Sequence, residues 1–155
     1  MQLEPGELEH VLEVWPVARL ASLSGQRPQI VPIVFVPIGQ AIFSPIDGKP
    51  KRTQHLQRIR NVARNETVSL LLDHYDTDWH ALWWLRIDGA AAVVDADKLP
   101  SSERQRIEAA FRRKYPQYEQ MPVFRDPATL IRIAPEGHVA WSARPIAWEL
   151  LKSIS

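Results

Sequence analysis

The chain has 155 residues, 45% of them hydrophobic, enough to bury one core and short for two. Nineteen Lys+Arg against 18 Asp+Glu leave a formal charge of +1, which argues against a dedicated nucleic-acid binder while leaving room for one basic groove. There is no cysteine, which removes disulfides, thiolate nucleophiles and thiolate metal sites together.

The opening MQLEPGELEHVLEVW is acidic and amphipathic, unlike a secretory signal, and no run of roughly 18 apolar residues exists to span a bilayer. A soluble cytoplasmic protein is expected. Leu8, Val11, Leu12 and Trp15 recur at helical spacing until Pro16, predicting a first helix that lies on the body as a lid. Three runs rich in Val and Ile follow, Val17 to Leu23, Gln29 to Val36 and Ala41 to Ile46. Ser24-Gly25-Gln26 and Pro37 to Gln40 separate them, which reads as an antiparallel meander. Helical spacing returns over Thr53 to Arg64, with Leu56, Ile59, Val62 and Ala63 as the apolar stripe and Arg58 and Arg60 off it. Strands are predicted over Thr67 to Tyr75 and Ala81 to Val94, with a bend or bulge at Gly89. Ser101 or Ser102 can cap a helix that buries Ile107, Ala110, Phe111 and Tyr115 and closes at Pro116. Thr129 to Ala134, Pro135-Glu136-Gly137 and His138 to Ser142 then read as a β-hairpin.

The chemistry concentrates after the third strand. Lys49, Lys51, Arg52, Arg58, Arg60 and Arg64 stand together with no acidic residue among them, at a turn from strand to helix. Backbone amides and cations converging there suit a phosphate; the same run also suits a solvated helix face. The segment DGKPKRT is not a P-loop, because its glycine spacing is wrong and Pro50 replaces the hydroxyl residue expected after Gly48-Lys49. Asp73, His74, Asp76, Asp78 and His80 lack a standard zinc spacing and fit a turn between strands, so no metal site is assigned. No nucleophile elbow or acid–base pair is recognisable, and no catalytic side chain is assigned.

The order of elements, the hairpin PIVFVPIGQAIFSPID, the turn KPKRT and the strand pair LLDHYDTDWHALWWLRIDG resemble the pyridoxamine 5′-phosphate oxidase-like split β-barrel proteins. Within them the chain is most similar to the deazaflavin-dependent branch, which uses coenzyme F420 as hydride carrier. The resemblance covers nearly the whole chain. It implies a mainly β (α+β) fold, a split antiparallel β-barrel of the FMN-binding type with covering helices, as one domain over residues 1–155. It also implies a homodimer with the cofactor in a cleft between subunits, and hydride transfer between F420 and a small organic substrate, with neither nucleic acid nor membrane as partner. An FMN-dependent oxidoreductase and a non-catalytic flavin carrier on the same fold stay open. Against the amine oxidase itself, the tail ARPIAWELLKSIS lacks the Arg and His pairing that grips the substrate phosphate there.

Carried over residue by residue, the resemblance puts Lys49, Lys51, Arg52 and Thr53 around the cofactor phosphate, with Arg58 extending the electropositive surface. It lays Val31, Pro32, Ile33 and Val34, and Phe43, Ser44, Pro45 and Ile46, along the ring system. Trp83, Trp84 and Arg86 fall near the dimer cleft. Adjacent strand residues face opposite sides, so one of Trp83 and Trp84 is core and the other interface or ligand wall.

Overall fold

The computed structural model describes residues 1–46, 53–124 and 127–144, apart from the side chains of residues 53–56. Helix α1 (Pro5–Val14) starts with Pro5, whose missing amide hydrogen costs nothing in a first turn, while Glu7 reaches back to accept from the Glu4 amide. It buries Val11 and Leu12. Strands β1 (Ala18–Ser24), β2 (Arg27–Ile33), β3 (Val36–Ile38), β4 (Ala41–Pro45), β5 (Thr67–His74), β6 (Trp83–Asp95) and β7 (Thr129–Ser142) form one antiparallel sheet in the order β2-β1-β5-β6-β7-β4-β3. Ile33 from one end of that order and Ile42 from the other meet Leu20, Leu70, Leu85 and Ile131 in a single buried cluster, so the sheet curls around it. Val11 and Leu12 of α1 and Val62 of α2 (Thr53–Arg64) belong to the same cluster, as the lid expectation requires. A second cluster packs Phe43 and Leu130 of the sheet against Ile107 and Phe111 of α3 (Ser101–Lys114), with Tyr115 and Tyr118 beyond it. This is the mainly β, α+β architecture expected.

Four expectations are corrected. The first concerns the meander: β2 ends at Ile33, and β3 begins at Val36 on the opposite edge of the sheet. The crossing is made at Phe35, whose side chain is fully buried and whose backbone is bonded by side chains instead of a ladder. Its N–H donates to the Tyr115 hydroxyl at 2.9 Å, and its carbonyl accepts from Tyr115 at 2.9 Å and from Lys114 Nζ at 3.0 Å. With both backbone groups satisfied in the interior, the run can leave one strand and start another without an orphaned polar group.

The second is the C-terminal hairpin, which is absent. β7 runs straight through Pro135-Glu136-Gly137 and pairs with β6 along its length, Asp95 with Thr129 at one end and Trp83 with Ser142 at the other. The register slips between Asp88 and Gly89, Asp88 facing Gly137 and Gly89 facing Pro135, which makes the turn-like sequence a bulge. Gly89 is the residue that permits it, since a Cβ there would stand 2.5 Å from the Ala134 carbonyl oxygen. The third is the cap of α3: Pro100 precedes the helix and no side chain caps it, so neither Ser101 nor Ser102 plays that part. The expected strand at Ala81 starts later, at Trp83, because Asp78 accepts from the His80 amide and winds Trp79–Ala81 into a 3-10 turn.

Candidate functional site

A recess lined by the helix that follows the predicted phosphate turn in the chain is built from three elements. Ser22 comes from β1, Gln29, Ile30 and Val31 from β2, and Gln57, Arg58 and Asn61 from α2, around a volume of about 270 Å³. β2 is an edge strand, and α2 lies against β1 and β6, so the helix side chains meet the face on which Ser22 of β1 and Gln29 of β2 stand opposite each other. Three of the lining residues are polar and almost wholly withdrawn from solvent: Ser22 at 4%, Arg58 at 6% and Asn61 at 2% exposure. This corrects the stripe expected for α2. Arg58 was placed off it and is buried, whereas Ala63 was placed on it and is exposed. The inward face of the helix is set by polar contacts as well as by Val62: Arg58 Nη2 donates to the Pro45 carbonyl at 3.4 Å, and Asn61 bonds Ser22 and Gln29. None of the described residues lining the recess is acidic, and Arg58 brings a guanidinium to its wall.

The remaining predicted residues fall into three places. Val31 lines the recess, Pro32 is exposed on the other side of β2, and Ile33 belongs to the core cluster. Ser44, Pro45 and Ile46 are buried where β4 runs towards the basic turn. The Ser44 hydroxyl has no hydrogen-bond partner among the described residues. Lys49, Lys51 and Arg52, and the side chain of Thr53, lie outside the described residues. Trp83 is 3% exposed and its ring meets Trp15 edge-on at 4.6 Å, so it is core and not a ligand wall. Trp84 and Arg86 point to the opposite, outer face, where Trp84 pairs with Trp141 across the strands and Arg86 holds Asp88 at 3.1 Å. Within one chain the structure therefore brings Val31 and Arg58 together and leaves Trp84 and Arg86 on the far side of the sheet.

Sequence reasoning missed Ser22, Gln29, Gln57 and Asn61. Gln57 and Asn61 at helical spacing beside Arg58 were the available signal, since polar residues on an inward face have to be satisfied by something. The acidic loop after β5 is occupied with itself. Asp73 pairs with Arg19, Asp76 accepts from the Asp78 amide and approaches His74 at 3.5 Å, and Asp78 accepts from the His80 amide. Those amide bonds, with the Thr77 hydroxyl, hold the Asp76 carboxyl below its usual range.

The recess fits part of a flavin-type cofactor. A guanidinium suits a phosphate, and neighbouring amides and a hydroxyl suit a polar chain. At about 270 Å³ it falls short of the roughly 300–1,000 Å³ of pockets that enclose a drug-sized ligand, so the remainder of such a molecule has to be housed outside it.

Comparison with known proteins agrees with this geometry. A family model described as pyridoxamine 5′-phosphate oxidase matches residues 5–141. The fold is similar to that of a conserved hypothetical protein of Mycobacterium tuberculosis, at 19% identity over 93% of this chain and 88% of that one, with a TM-score of 0.67. An FAD-binding protein of Mesorhizobium loti is similar at 18% identity, 89% and 94% coverage and a TM-score of 0.63. HutZ, the heme storage protein of Vibrio cholerae, is similar at 22% identity, 92% and 95% coverage and a TM-score of 0.62. No curated protein matches. Among the described residues no helix is long and apolar enough to cross a membrane.

Proposed function

This chain belongs to the pyridoxamine 5′-phosphate oxidase family, and from that premise we propose that it is an oxidoreductase using coenzyme F420, with FMN as the alternative cofactor. It passes hydride between the cofactor and a small organic substrate, as a homodimer in the cytoplasm. The observation that carries the proposal is the recess between β2 and α2, where Arg58 of the basic run is buried and no acidic side chain is found among the described lining residues. Arg58 holds the anionic group, with Lys49, Lys51 and Arg52 adding charge from the turn. When bound, the cofactor supplies the hydride-bearing carbon, and the protein supplies binding, orientation and exclusion of water.

The outer face supports the homodimer reading. Leu71, Val139 and Trp141 are exposed there at 36%, 36% and 44%, beside the half-buried Trp84. The ion pairs Arg19–Asp73 and Arg86–Asp88 share that face, so both signs of charge are present on a patch that two copies could present to each other about a two-fold axis.

Fluorescence titration of the purified protein with F420 and with FMN, at low and moderate salt, tests the reading. Tight binding of F420 and weak binding of FMN supports it; preference for FMN moves it to the flavin alternative, and binding of neither removes it. A non-catalytic flavin carrier is the second reading, favoured by the lack of any acid–base pair among the described residues lining the recess. It predicts binding without turnover of any acceptor.

A further inference from the structure

Asn61 sits inside a helix, where asparagine is an indifferent former, and three of its four possible side-chain bonds, both donors among them, are spent on the walls of the recess. Its Nδ2 donates to Ser22 Oγ at 3.0 Å and to Gln29 Oε1 at 2.8 Å, and its Oδ1 accepts from Gln57 Nε2 at 2.8 Å. These three bonds tie β1, β2 and α2 together. They also decide which end of each neighbour is left over. Gln29 has turned its carbonyl to Asn61, so its NH₂ group remains. Gln57 has turned its NH₂ group to Asn61, so its carbonyl oxygen remains. Ser22 accepts from Asn61 and keeps its own hydrogen to donate. The recess therefore offers donors from Gln29 and Ser22 and an acceptor from Gln57, next to the guanidinium of Arg58.

The complement of such a wall is a chain of hydroxyl groups, each able to donate and accept, attached to an anion. The apolar benzenoid end of the ring placed here would strip water from these groups and return nothing to them, and the polar edge of a rigid ring returns fewer bonds than a flexible chain of hydroxyls. Building on the proposed cofactor site, we propose that Asn61 is its positioning residue, orienting Gln29 and Gln57 so that the recess takes the polyhydroxylated chain of the cofactor. The ring is then carried outside the recess, which agrees with the small volume enclosed.

The test uses two neutral probes, riboflavin, which carries a ribityl chain, and lumiflavin, which has a methyl group in its place. The wild-type protein binds riboflavin about tenfold or more tightly than lumiflavin, the worth of one to two net hydrogen bonds. Asn61→Asp keeps the shape and loses both donated bonds, and Gln29→Met removes a half-buried wall residue of β2, with its one bond to Asn61, while leaving the sequence of α2 unchanged. Each is expected to erase most of that preference while leaving lumiflavin affinity in place, an outcome that loosened packing would not give. A wild-type preference near one, or a preference kept in both variants, overturns the assignment. For a protein that binds only F420, the 5-deaza analogues of the two probes replace them. If the wild-type protein binds none of F420, FMN and riboflavin, the cofactor-site reading falls, and this assignment with it; if FMN or F420 binds and the preference is absent, the assignment alone falls.

Discussion

Replacing Tyr115 by phenylalanine tests why the chain can cross from one edge of the sheet to the other at Phe35. The Tyr115 hydroxyl accepts from the Phe35 amide at 2.9 Å, and its hydrogen is placed to donate to the Phe35 carbonyl at 2.9 Å or the Pro16 carbonyl at 2.8 Å. Burial pushes its ionisation well above the usual phenol range, so the hydroxyl keeps its hydrogen at any working pH. In Tyr115→Phe the Phe35 carbonyl still has Lys114 and the exposed Pro16 can turn to water. The Phe35 N–H, buried with its residue, has no replacement acceptor among its described neighbours. One buried donor left without a partner costs roughly 1–3 kcal/mol, and about 2 kcal/mol is the expectation here. At about 2–4 °C per kcal/mol for a chain of this size, Tm drops by about 4–8 °C. Thermal unfolding by circular dichroism measures the drop, and amide hydrogen exchange at Phe35 locates it. A Tm within about 1 °C of wild type, with Phe35 exchange unchanged, would refute the reasoning.

Lys114 provides a pH signature at the same corner. Burial lowers its amine to about 7, opposed by the charge of Glu13, so between about 7 and the ordinary lysine value of 10.5 the unfolded chain binds a proton that the folded chain has shed. Stability from this group rises with pH across that window and is lost as pH falls through 7. Wild-type Tm minus Lys114→Met Tm should therefore rise from pH 7 to pH 9.5, and a flat value would show that the ammonium is retained by the Leu12 and Phe35 carbonyls and the Phe35 ring 3.6 Å away. Gly89→Ala puts a Cβ 2.5 Å from the Ala134 carbonyl, a backbone atom that cannot swing aside, and should cost about 1–3 kcal/mol in chemical denaturation. A neutral result there means that the bulge relaxes freely. Replacing Trp84 and Trp141 together by serine should shift a sedimentation profile from dimer to monomer, and an unchanged dimer would move the interface to another face.

The strands were legible because alternation is a local property. The bulge was visible in Gly89, and the division of labour between Trp83 and Trp84 followed from the two faces of a strand, although the sequence could not say which was which. What escaped was set by distant partners. Gln29 to Val36 reads as one strand because every residue in it is strand-compatible; it is interrupted by Tyr115 and Lys114, about eighty residues later in the chain. Pro135-Glu136-Gly137 has the composition of a turn, and becomes a bulge because β6 is long enough to pair with both halves of β7. Arg58 was assigned outward because an arginine on an inward helix face contradicts the apolar pattern. It turns inward because Pro45 offers a carbonyl and the Asn61 network already makes that face polar.

The division of the predicted site between two faces bears directly on how it could work. Val31 and Arg58 look into the recess, while Trp84 and Arg86 lie on the outer face of the strand that carries Trp83 in the core. No rotamer change carries a side chain through a close-packed sheet, so both sets cannot touch one ligand within a single chain. Either the outer-face residues have no part in the site, or they reach the ligand of a second copy. The second arrangement gives the exposed Leu71, Val139 and Trp141 a partner and supplies a wall for the ring that the recess is too small to hold. It also separates two effects that one mutation series can measure. Arg58→Ala should weaken cofactor binding equally at every protein concentration, whereas Trp84→Ser should weaken it most where the dimer dissociates, so that raising the protein concentration restores part of the affinity, short of the lost wall contact, to the second variant and none to the first.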